Sequence, residues 1–372
     1  MTRFNHRDAL GGVLRTAVRA RETDDLGRFP REAVRAAGRA GLLGLTLPTG
    51  LGGGGGGLVE AVEVVTCLAR ECASSAAVLA GHYAATAVLV GRAPGELLRQ
   101  IASGEHLSAL ALAESGPRPL VPAAGARAHG GVVDLAARKT WVSAAGEADS
   151  YVWSSLPVGQ RGGTTLWLVP AQAPGVCVPA EIDGVGLRGS AAAAVTADPV
   201  RVPESAVLGG DGAGTEIVLG TALPWHCALQ GGLALGIMEA VLQRSVECVT
   251  GPQPSWARWQ GPPAQQPEVR ADLARMRAEV DAARLLLADA VGDSWHGGAD
   301  LQRVLQARAI TGERAVAVAE LGMKVCGQFA FRKEFGLERR FRDAHTSAHG
   351  QISVDEALDL QGRVICGLAV LG

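Results

Sequence analysis

Two residues in the run from Lys139 to Asp149 suit the binding of a flat aromatic ring. Trp141 offers an aromatic plate, and Ser143, two positions later, offers a hydroxyl. In a β-strand, residues i and i+2 project from the same face, so we expect both side chains to meet one ligand. A flavin ring would stack beside the indole and accept a hydrogen bond from the hydroxyl. The alternative interpretation is an amphipathic strand whose Trp141 is buried in a core.

The composition is that of a globular chain without a strong electrostatic field. Its 372 residues are 48% hydrophobic and 19% charged, which is enough apolar material for two or three cores. The net charge of -2 gives no basic footprint for nucleic acid or an anionic membrane, and we expect neither as a partner. The N-terminal residues lack the apolar core of a signal peptide, which predicts a cytoplasmic protein. The seven cysteines show no metal-ligand spacing, so we expect free thiols and no metal site.

The hydrophobic periodicity changes twice along the chain and predicts three domains. Residues 1–107 show helical periodicity and are expected to form an all-helical domain. Residues 108–210 contain short β-prone runs separated by turn residues, which is typical of a β barrel or sandwich. Residues 211–372 return to long helical patterns, the signature of a helical bundle. In the first domain, the tract Gly52 to Gly57 lacks the Lys-Ser/Thr that ends a phosphate-binding loop, so we expect a flexible connection there.

The chain resembles the acyl-CoA dehydrogenase family in this domain order and in short motifs spread over nearly its whole length. These motifs are Gly41 to Gly53, Ala102 to Glu105, the run around Trp141, Pro174 to Val176, Gly186 to Ser190, Arg201 to Glu204, Ala234 to Gly236, and Arg342 to Ala344. The resemblance implies an α+β fold with an N-terminal helical domain, a middle β-barrel or sandwich domain and a C-terminal four-helix bundle. It also implies FAD as cofactor, an acyl thioester as substrate, and a homodimer or homotetramer.

The usual catalytic base of that family is absent from this chain. In most members a Glu follows Arg-Asp-Ala by a few residues, and the same spacing from Arg342 leads to Gln351, which cannot take a proton. A minority of the family carries the base ten residues before the Gly of a Leu-Gly-Ile-Met segment, and here that position is His226. We expect Pro224 to open or kink the helix, which would leave His226 in a first turn where the positive helix end favours neutral imidazole. His349, close to the missing Glu, is the second candidate base.

The resemblance also predicts flavin contacts, several of which are altered. Trp141, Val142 and Ser143 would face the ring. Ala113 and Ser115 lie in the segment that in the family supplies hydroxyls to the flavin and its pyrophosphate, although the family's Thr is Ala113 here. Three further positions correspond loosely to motifs that reach the FAD of a neighbouring subunit: Arg258, Lys324 and Gly327. These departures predict weaker FAD binding.

Three functions are compatible with these residues. The first is an FAD-dependent dehydrogenase of an acyl thioester of specialised metabolism, carried by CoA or an acyl carrier protein, with a separate electron acceptor. The second is a flavin monooxygenase of the same fold, supplied by a flavin reductase, for which His345, Thr346 and His349 form a His- and Thr-rich stretch. The third is a non-catalytic family member that binds an acyl group or a partner. His345 and His349, four residues apart, would share one helix face, but no further metal ligands accompany them.

Overall fold

The first hundred residues fold into helices, as the periodicity predicts. A computed structural model describes residues 4–17, 19–116, 118–159, 163–179, 183–251, 263–292 and 300–371. The helices are α1 His6–Ala17, α2 Ala20–Leu26, α3 Arg31–Arg39, α4 Leu58–Glu71, α5 Ala73–Leu89 and α6 Gly95–Ala102. Every residue of α5 except Ala87 is buried, because this helix packs against α4 and the first strand and also against the C-terminal helices.

The middle of the chain forms two sheets. The strands are β1 Ser108–Ala111, β2 Ala126–His129, β3 Val132–Val142, β4 Ser150–Ser155, β5 Thr165–Pro170, β6 Val176–Cys177 and β7 Ala193–Pro203. One sheet has the order β1-β4-β5 with a parallel β1-β4 pair, and the other has the order β2-β3-β7-β6. The long β3 pairs antiparallel with β7, and its register shifts between Lys139 and Val142, just where the strand reaches Trp141.

The last part of the chain is again helical. Its helices are α7 Gly214–Ile217, α8 Leu223–Thr250, α9 Pro267–Gly292, α10 Leu301–Cys326, α11 Leu337–Ala348 and α12 Val354–Ile365. The helix α8 is the centre of this bundle and packs against α9, α10 and α11, and it also reaches α4 and α5 of the first domain. Among the described helices, none has the length and apolar character needed to cross a membrane. The expected α+β fold class is therefore confirmed.

The expectation about the start of the helix that carries His226 was wrong. The helix that carries His226 does not open at Pro224, because α7, one π-helical turn over 218–222 and α8 form continuous helical backbone from Gly214 onward. The absent N–H of Pro224 falls directly after this π-helical turn, an irregularity that is frequent at functional sites. His226 consequently does not lie at a positive helix end. The helix α11, which carries Arg342 to Ala348, was not predicted from the sequence.

The glycine tract is ordered. The N–H groups of Gly54 and Gly56 donate to the carbonyls of Gly44 and Leu45 at 3.0 and 2.9 Å. A Cβ at Gly53 would overlap Leu47, so the tract allows close packing of backbone against backbone. The expected flexible connection is therefore replaced by a packed turn between the first helices and α4.

A buried histidine joins α5 to the middle domain. The Ser108 N–H donates to His82 Nδ1 at 3.1 Å, which leaves Nε2 as the protonated nitrogen, and Nε2 donates to the Leu43 carbonyl at 3.0 Å. Burial lowers the pKa of His82 to about 4. His82 thus ties three parts of the chain together only in its neutral form.

We expect the free energy of unfolding to fall as the pH drops from about 6.5 to about 4, because the unfolded chain takes up a proton that folded His82 excludes. In a His82→Gln variant, the amide can accept from Ser108 and donate to Leu43 without titrating. This part of the pH dependence, up to roughly 3 kcal/mol, should disappear in the variant. Chemical denaturation at several pH values measures it, and equal slopes in the two proteins would contradict the assignment.

Candidate active site

A cavity of about 330 Å³ lies where the middle domain meets the C-terminal helices. Its wall is formed by the end of β3, the segment 184–192, the beginning of α8 and the end of α11 with the residues that follow it. Seven candidate residues from the sequence line this one cavity: Trp141, Ser143, His226, His345, Thr346, His349 and Gln351. Residues more than 200 positions apart in the chain are thereby brought to one site.

Trp141 and Ser143 line the cavity for a reason other than the expected strand alternation. Trp141 has φ 55°, a left-handed conformation that costs a bulky residue energy, and β3 ends at Val142 before Ser143 is reached. The indole is 45% exposed, so it is not packed in a core. Ser143 lies against α5 at Gly81, where an added Cβ would come within 3.4 Å of Ser143 Cβ. Both side chains border the same cavity, although they do not share a strand.

Left-handed backbone is concentrated around this cavity. Among the described residues, the non-glycine positions with positive φ are Trp141, Ala144, Leu187 and Ala191, with φ between 49° and 55°. They belong to two segments that are hydrogen-bonded to each other, through Ala144 N–H to the Ser190 carbonyl at 2.9 Å and Ala145 N–H to the Ala191 carbonyl at 3.0 Å. Such strain persists only where the surrounding structure over-determines the backbone, and it is common at binding sites.

The motif residues Arg342 and Asp343 hold the segment 184–190 in place. Asp343 is buried and accepts the Leu187 N–H at 2.6 Å, and burial raises its pKa to about 6. Arg342 donates to the Val185 carbonyl at 2.7 Å and to both carboxylate oxygens of Asp24 at 3.0 and 2.5 Å. Because Gly186 has no side chain, its backbone packs directly on α11 at Arg342 and Thr346. Contacts with α11 thus hold the motif Gly186 to Ser190 in its conformation.

His226 belongs to the cavity wall and has one unpartnered ring nitrogen. The residue is 7% exposed, and its Nε2 is buried without a hydrogen-bond partner among the described residues. Burial, with the nearby cation of Arg308 as a second cause, lowers the pKa of His226 to about 3. The imidazole is therefore neutral at physiological pH, the state that a base requires, but the reason is burial rather than a helix end.

Arg308 on α10 holds the C-terminal end of α11 through hydrogen bonds to its backbone. Its guanidinium is fully buried and donates to three backbone carbonyls, those of Ile352 at 3.1 Å, Ser347 at 2.8 Å and Ala348 at 3.3 Å. These carbonyls belong to the last turn of α11 and the residues after it, where a positive charge is favourable. Arg308 thus positions the stretch that contains His349 and Gln351. Nothing in the sequence distinguished this arginine from those on solvated helix faces.

The stretch after α11 brings the other two predicted catalytic residues to the wall. His349 is exposed and stands just past the last helical residue, so it does not continue the helix face of His345. Gln351 is 7% exposed and donates from Nε2 to the Leu110 carbonyl at 3.3 Å. Gln351 consequently links α11 to β1 and has no group that could remove a proton.

The other predicted cofactor residues within the described part of the chain do not line the cavity. Ala113 is buried, and its carbonyl accepts the Thr140 N–H at 2.8 Å next to Trp141, whereas Ser115 is exposed. The Val142 side chain is fully buried. Lys324 forms an ion pair with Asp272 at 2.7 Å, and Gly327 lies at the end of α10. Arg258 lies outside the described residues.

A buried ion pair that the sequence did not reveal supports the strand leading to Trp141. Lys139 Nζ lies 2.6 Å from Glu114 Oε1 and 2.8 Å from Ser154 Oγ, and it faces the Trp153 ring at 5.3 Å. Burial lowers the pKa of Lys139 to about 8, and the attraction of Glu114 opposes this shift. Because Glu114 also accepts the Ala123 N–H at 3.1 Å, the pair fastens the segment from Ala113 to Ala123 onto β3.

Models of the acyl-CoA dehydrogenase N-terminal and C-terminal domains match residues 6–102 and 212–351. The chain belongs to the acyl-CoA dehydrogenase family. It is 26% identical over 352 residues to the probable acyl-CoA dehydrogenase YngJ of Bacillus subtilis, covering 90% of each chain. The enzyme is accordingly a flavin-dependent oxidoreductase that acts on CH–CH groups, with FAD as cofactor.

Solved structures show the same architecture. Butyryl-CoA dehydrogenase from Megasphaera elsdenii superposes with a TM-score of 0.86 at 21% identity, over 98% of this chain and 100% of that one. FkbI, described as serving biosynthesis of the methoxymalonyl extender unit of the polyketide immunosuppressant Fk520, superposes with a TM-score of 0.81 at 25% identity. That similarity covers 94% of this chain and 97% of FkbI.

The cavity wall fits the ring of FAD. The half-exposed indole of Trp141 supplies a stacking surface, and the Ser143 hydroxyl borders the same space. The buried Ser190 Oγ on this wall has no partner among the described residues. Within the described part of the chain, no group of His, Cys, Asp and Glu is arranged to bind a metal ion.

We expect an Arg308→Met variant to lose roughly 3 kcal/mol or more of stability, because three buried carbonyls lose their donor. We also expect the pKa of His226 to rise from about 3 toward its ordinary value, since a nearby cation is removed.

Denaturation and an NMR titration of His226 measure the two effects. Arg340→Met is the matched control, because Arg340 is also buried and donates to the backbone carbonyls of Gly336 and Arg70. A His226 pKa that moves equally in both variants would contradict the assignment.

Proposed function

We propose that this protein is an FAD-dependent dehydrogenase of an acyl thioester in which His226 removes the α-proton. The observation that carries this proposal is the unpartnered, buried Nε2 of His226 on the same cavity wall as Trp141 and Ser143. Bound FAD supplies the two-electron acceptor for the hydride that leaves the β-carbon. The protein must then hold the thioester between the ring surface and a neutral base.

The α-proton transfers to Nε2, and the negative charge that remains is shared with the thioester oxygen as an enolate. Arg308 does not line the cavity, and it influences this step through its positive charge. Burial is the main cause of the low pKa of His226, and the Arg308 cation adds to it by disfavouring the imidazolium; the same cation favours the developing enolate. Gln351 and His349 complete the wall, and Arg308 holds both through the backbone.

The proposal extends to substrate and setting. We infer that the acyl group is carried by CoA or an acyl carrier protein and that the reaction belongs to specialised metabolism. The similarity to FkbI, with its stated role in forming a polyketide extender unit, supports this inference. Electrons would pass from the reduced protein to a separate acceptor.

We further propose a homodimer or homotetramer. Phe331, shortly after Gly327, is 74% exposed and Leu285 on α9 is 72% exposed, so the bundle presents large apolar side chains to solvent at two separate places. Lys324 and Gly327 would then contribute to the FAD of a partner subunit. Light scattering of the FAD-loaded protein tests the oligomeric state.

A flavin monooxygenase is the competing function, and one observation favours it. His345, Thr346 and His349 all line the cavity, so the His- and Thr-rich stretch faces the proposed ring site. Oxygen consumption after addition of reduced flavin and an acyl thioester would support this alternative. Flavin bleaching by the thioester under anaerobic conditions would support dehydrogenation.

We expect a His226→Gln variant to bind FAD as the native protein does and to reduce it at least about 100-fold more slowly with an acyl thioester, the range usual for loss of a general base. Anaerobic stopped-flow absorbance measures the reduction. His349→Gln is the matched comparison, because both histidines line the cavity. A full rate in His226→Gln would remove His226 from the mechanism, and a loss confined to His349→Gln would assign the base to His349.

A further inference from the structure

Two cysteines on neighbouring helices of the C-terminal domain are in contact with each other. Cys248 lies near the end of α8, and Cys326 is the last residue of α10. A hydrogen bond joins the two thiols. All seven cysteines of the chain are free thiols in this structure. Neither Cys248 nor Cys326 lines the candidate active-site cavity, so the proposed dehydrogenation gives them no role.

The close packing of α8 and α10 explains why these thiols meet. One turn before the cysteines, Gly322 of α10 packs on Ser245 of α8, and a Cβ added to the glycine would lie 3.2 Å from Ser245 Oγ. Because glycine has no side chain, the two helices approach closely there. Cys326 follows Gly322 by four residues and Cys248 follows Ser245 by three, so both cysteines lie on the faces that make this contact.

The two thiols differ in exposure and in acidity. Cys326 is fully buried, and its hydrogen bond with Cys248 together with burial raises its pKa. Cys248 is half-buried, and the same hydrogen bond lowers its pKa. Cys326 therefore keeps its proton and donates it toward the sulfur of Cys248. Cys248 is the thiol that ionises more readily and that a reagent can reach, and the thiolate is the reactive form of cysteine.

We propose that Cys248 and Cys326 are a redox-active pair, which hydrogen peroxide converts to a disulfide between α8 and α10. The Cys248 thiolate attacks one peroxide oxygen, the O–O bond breaks, and with one proton from solvent a sulfenic acid and a water molecule form. The Cys326 sulfur then attacks the Cys248 sulfur, the S–O bond breaks, and the oxygen leaves as water with the Cys326 proton. The two thiols thus lose two electrons, which reduce one peroxide to two waters.

The disulfide would fasten the C-terminal end of α10 to α8. Cys326 directly precedes Gly327, the residue at which α10 ends. The new bond closes a loop of chain that contains α9 and nearly all of α10. Closing so long a loop restricts the unfolded chain and therefore stabilises the folded one. The stability of the C-terminal bundle would then respond to the oxidation state of this pair.

The test treats the FAD-loaded full chain with hydrogen peroxide and then alkylates the remaining thiols. Trypsin leaves Cys248 and Cys326 as the single cysteines of two peptides, residues 245–258 and 325–332. Mass spectrometry without reduction should find these two peptides joined, and dithiothreitol should separate them. Cys67 is the internal control, because it is also half-buried but burial raises its pKa. Cys67 should remain a thiol at the peroxide concentration that joins the pair.

Two serine variants separate the roles of the thiols. In Cys326→Ser the second thiol is missing, so the sulfenic acid should accumulate on Cys248 and be captured by dimedone. In Cys248→Ser no sulfenic acid should form on Cys326, because that thiol is buried and protonated. Oxidation should raise the thermal midpoint of the native protein by roughly 3 °C or more, and dithiothreitol or either serine variant should abolish the rise.

Absence of the joined peptides at a peroxide concentration that already oxidises Cys67 would overturn the proposal, and this result requires no variant. Capture of a sulfenic acid on Cys326 in place of Cys248 would overturn the assigned order of attack. A disulfide that forms without a rise in the thermal midpoint would overturn the stabilising effect. None of these outcomes depends on whether an acyl thioester reduces the flavin.

Discussion

The cavity depends first on the hydrogen bond from the Leu187 N–H to the buried carboxylate of Asp343. This 2.6 Å contact fixes a residue with left-handed backbone, and with it the segment whose carbonyls receive the N–H groups of Ala144 and Ala145. The bond therefore connects α11 to the turn that holds Trp141 and Ser143 in place. Burying a carboxylate is unfavourable, as its raised pKa shows, and the accepted N–H together with the nearby Arg342 limits that cost. The site is thus formed at the expense of local stability, as is common for binding sites.

The middle and the C-terminus of α11 hold different parts of the site. Near its middle, Arg342 and Asp343 hold the segment 184–190, and at its C-terminus the carbonyls of Ser347 and Ala348 receive Arg308. A single helix consequently sets both the strained wall and the stretch carrying His349 and Gln351. The helix moves as a unit only if both sets of contacts change together, so α11 defines the distance between the strained wall and the stretch that carries His349 and Gln351.

The large elements could be predicted from the sequence because their periodicity is strong. The helix α10 lies in the part of the chain whose pattern predicts long helices, and the strands β4 and β5 lie in the part that predicts short strands. The helix α11 escaped prediction because its buried face mixes polar with apolar residues: Arg340, Asp343 and Ser347 are buried together with Leu337, Ala344 and Ala348. The π-helical turn before Pro224 escaped for a different reason, since a proline within a helical pattern indicates a boundary more often than an irregular turn.

The site itself was partly predictable. Trp141 and Ser143 were found through residue type and spacing and His226 through the family resemblance, and all three line the cavity. The reason given for the first two was wrong, because a left-handed residue interrupts strand alternation and no propensity indicates it at a tryptophan. Arg308 and the Lys139–Glu114 pair were missed because burial of a charged side chain is a property of the tertiary structure, and local sequence does not show it.

A neutral base makes the electrostatics of proton abstraction different from those of a carboxylate base. A carboxylate base loses its charge when it takes the α-proton, whereas neutral His226 gains one, so the step creates an imidazolium and an enolate from uncharged reactants. In a buried cavity such charge separation is costly, and the low pKa of His226 adds to the cost. Arg308 can offset this only through the enolate, since it repels the imidazolium. The balance therefore depends on whether the thioester oxygen lies nearer to the guanidinium than Nε2 does, and the backbone contacts of Arg308 with Ser347, Ala348 and Ile352 hold that guanidinium at a fixed position.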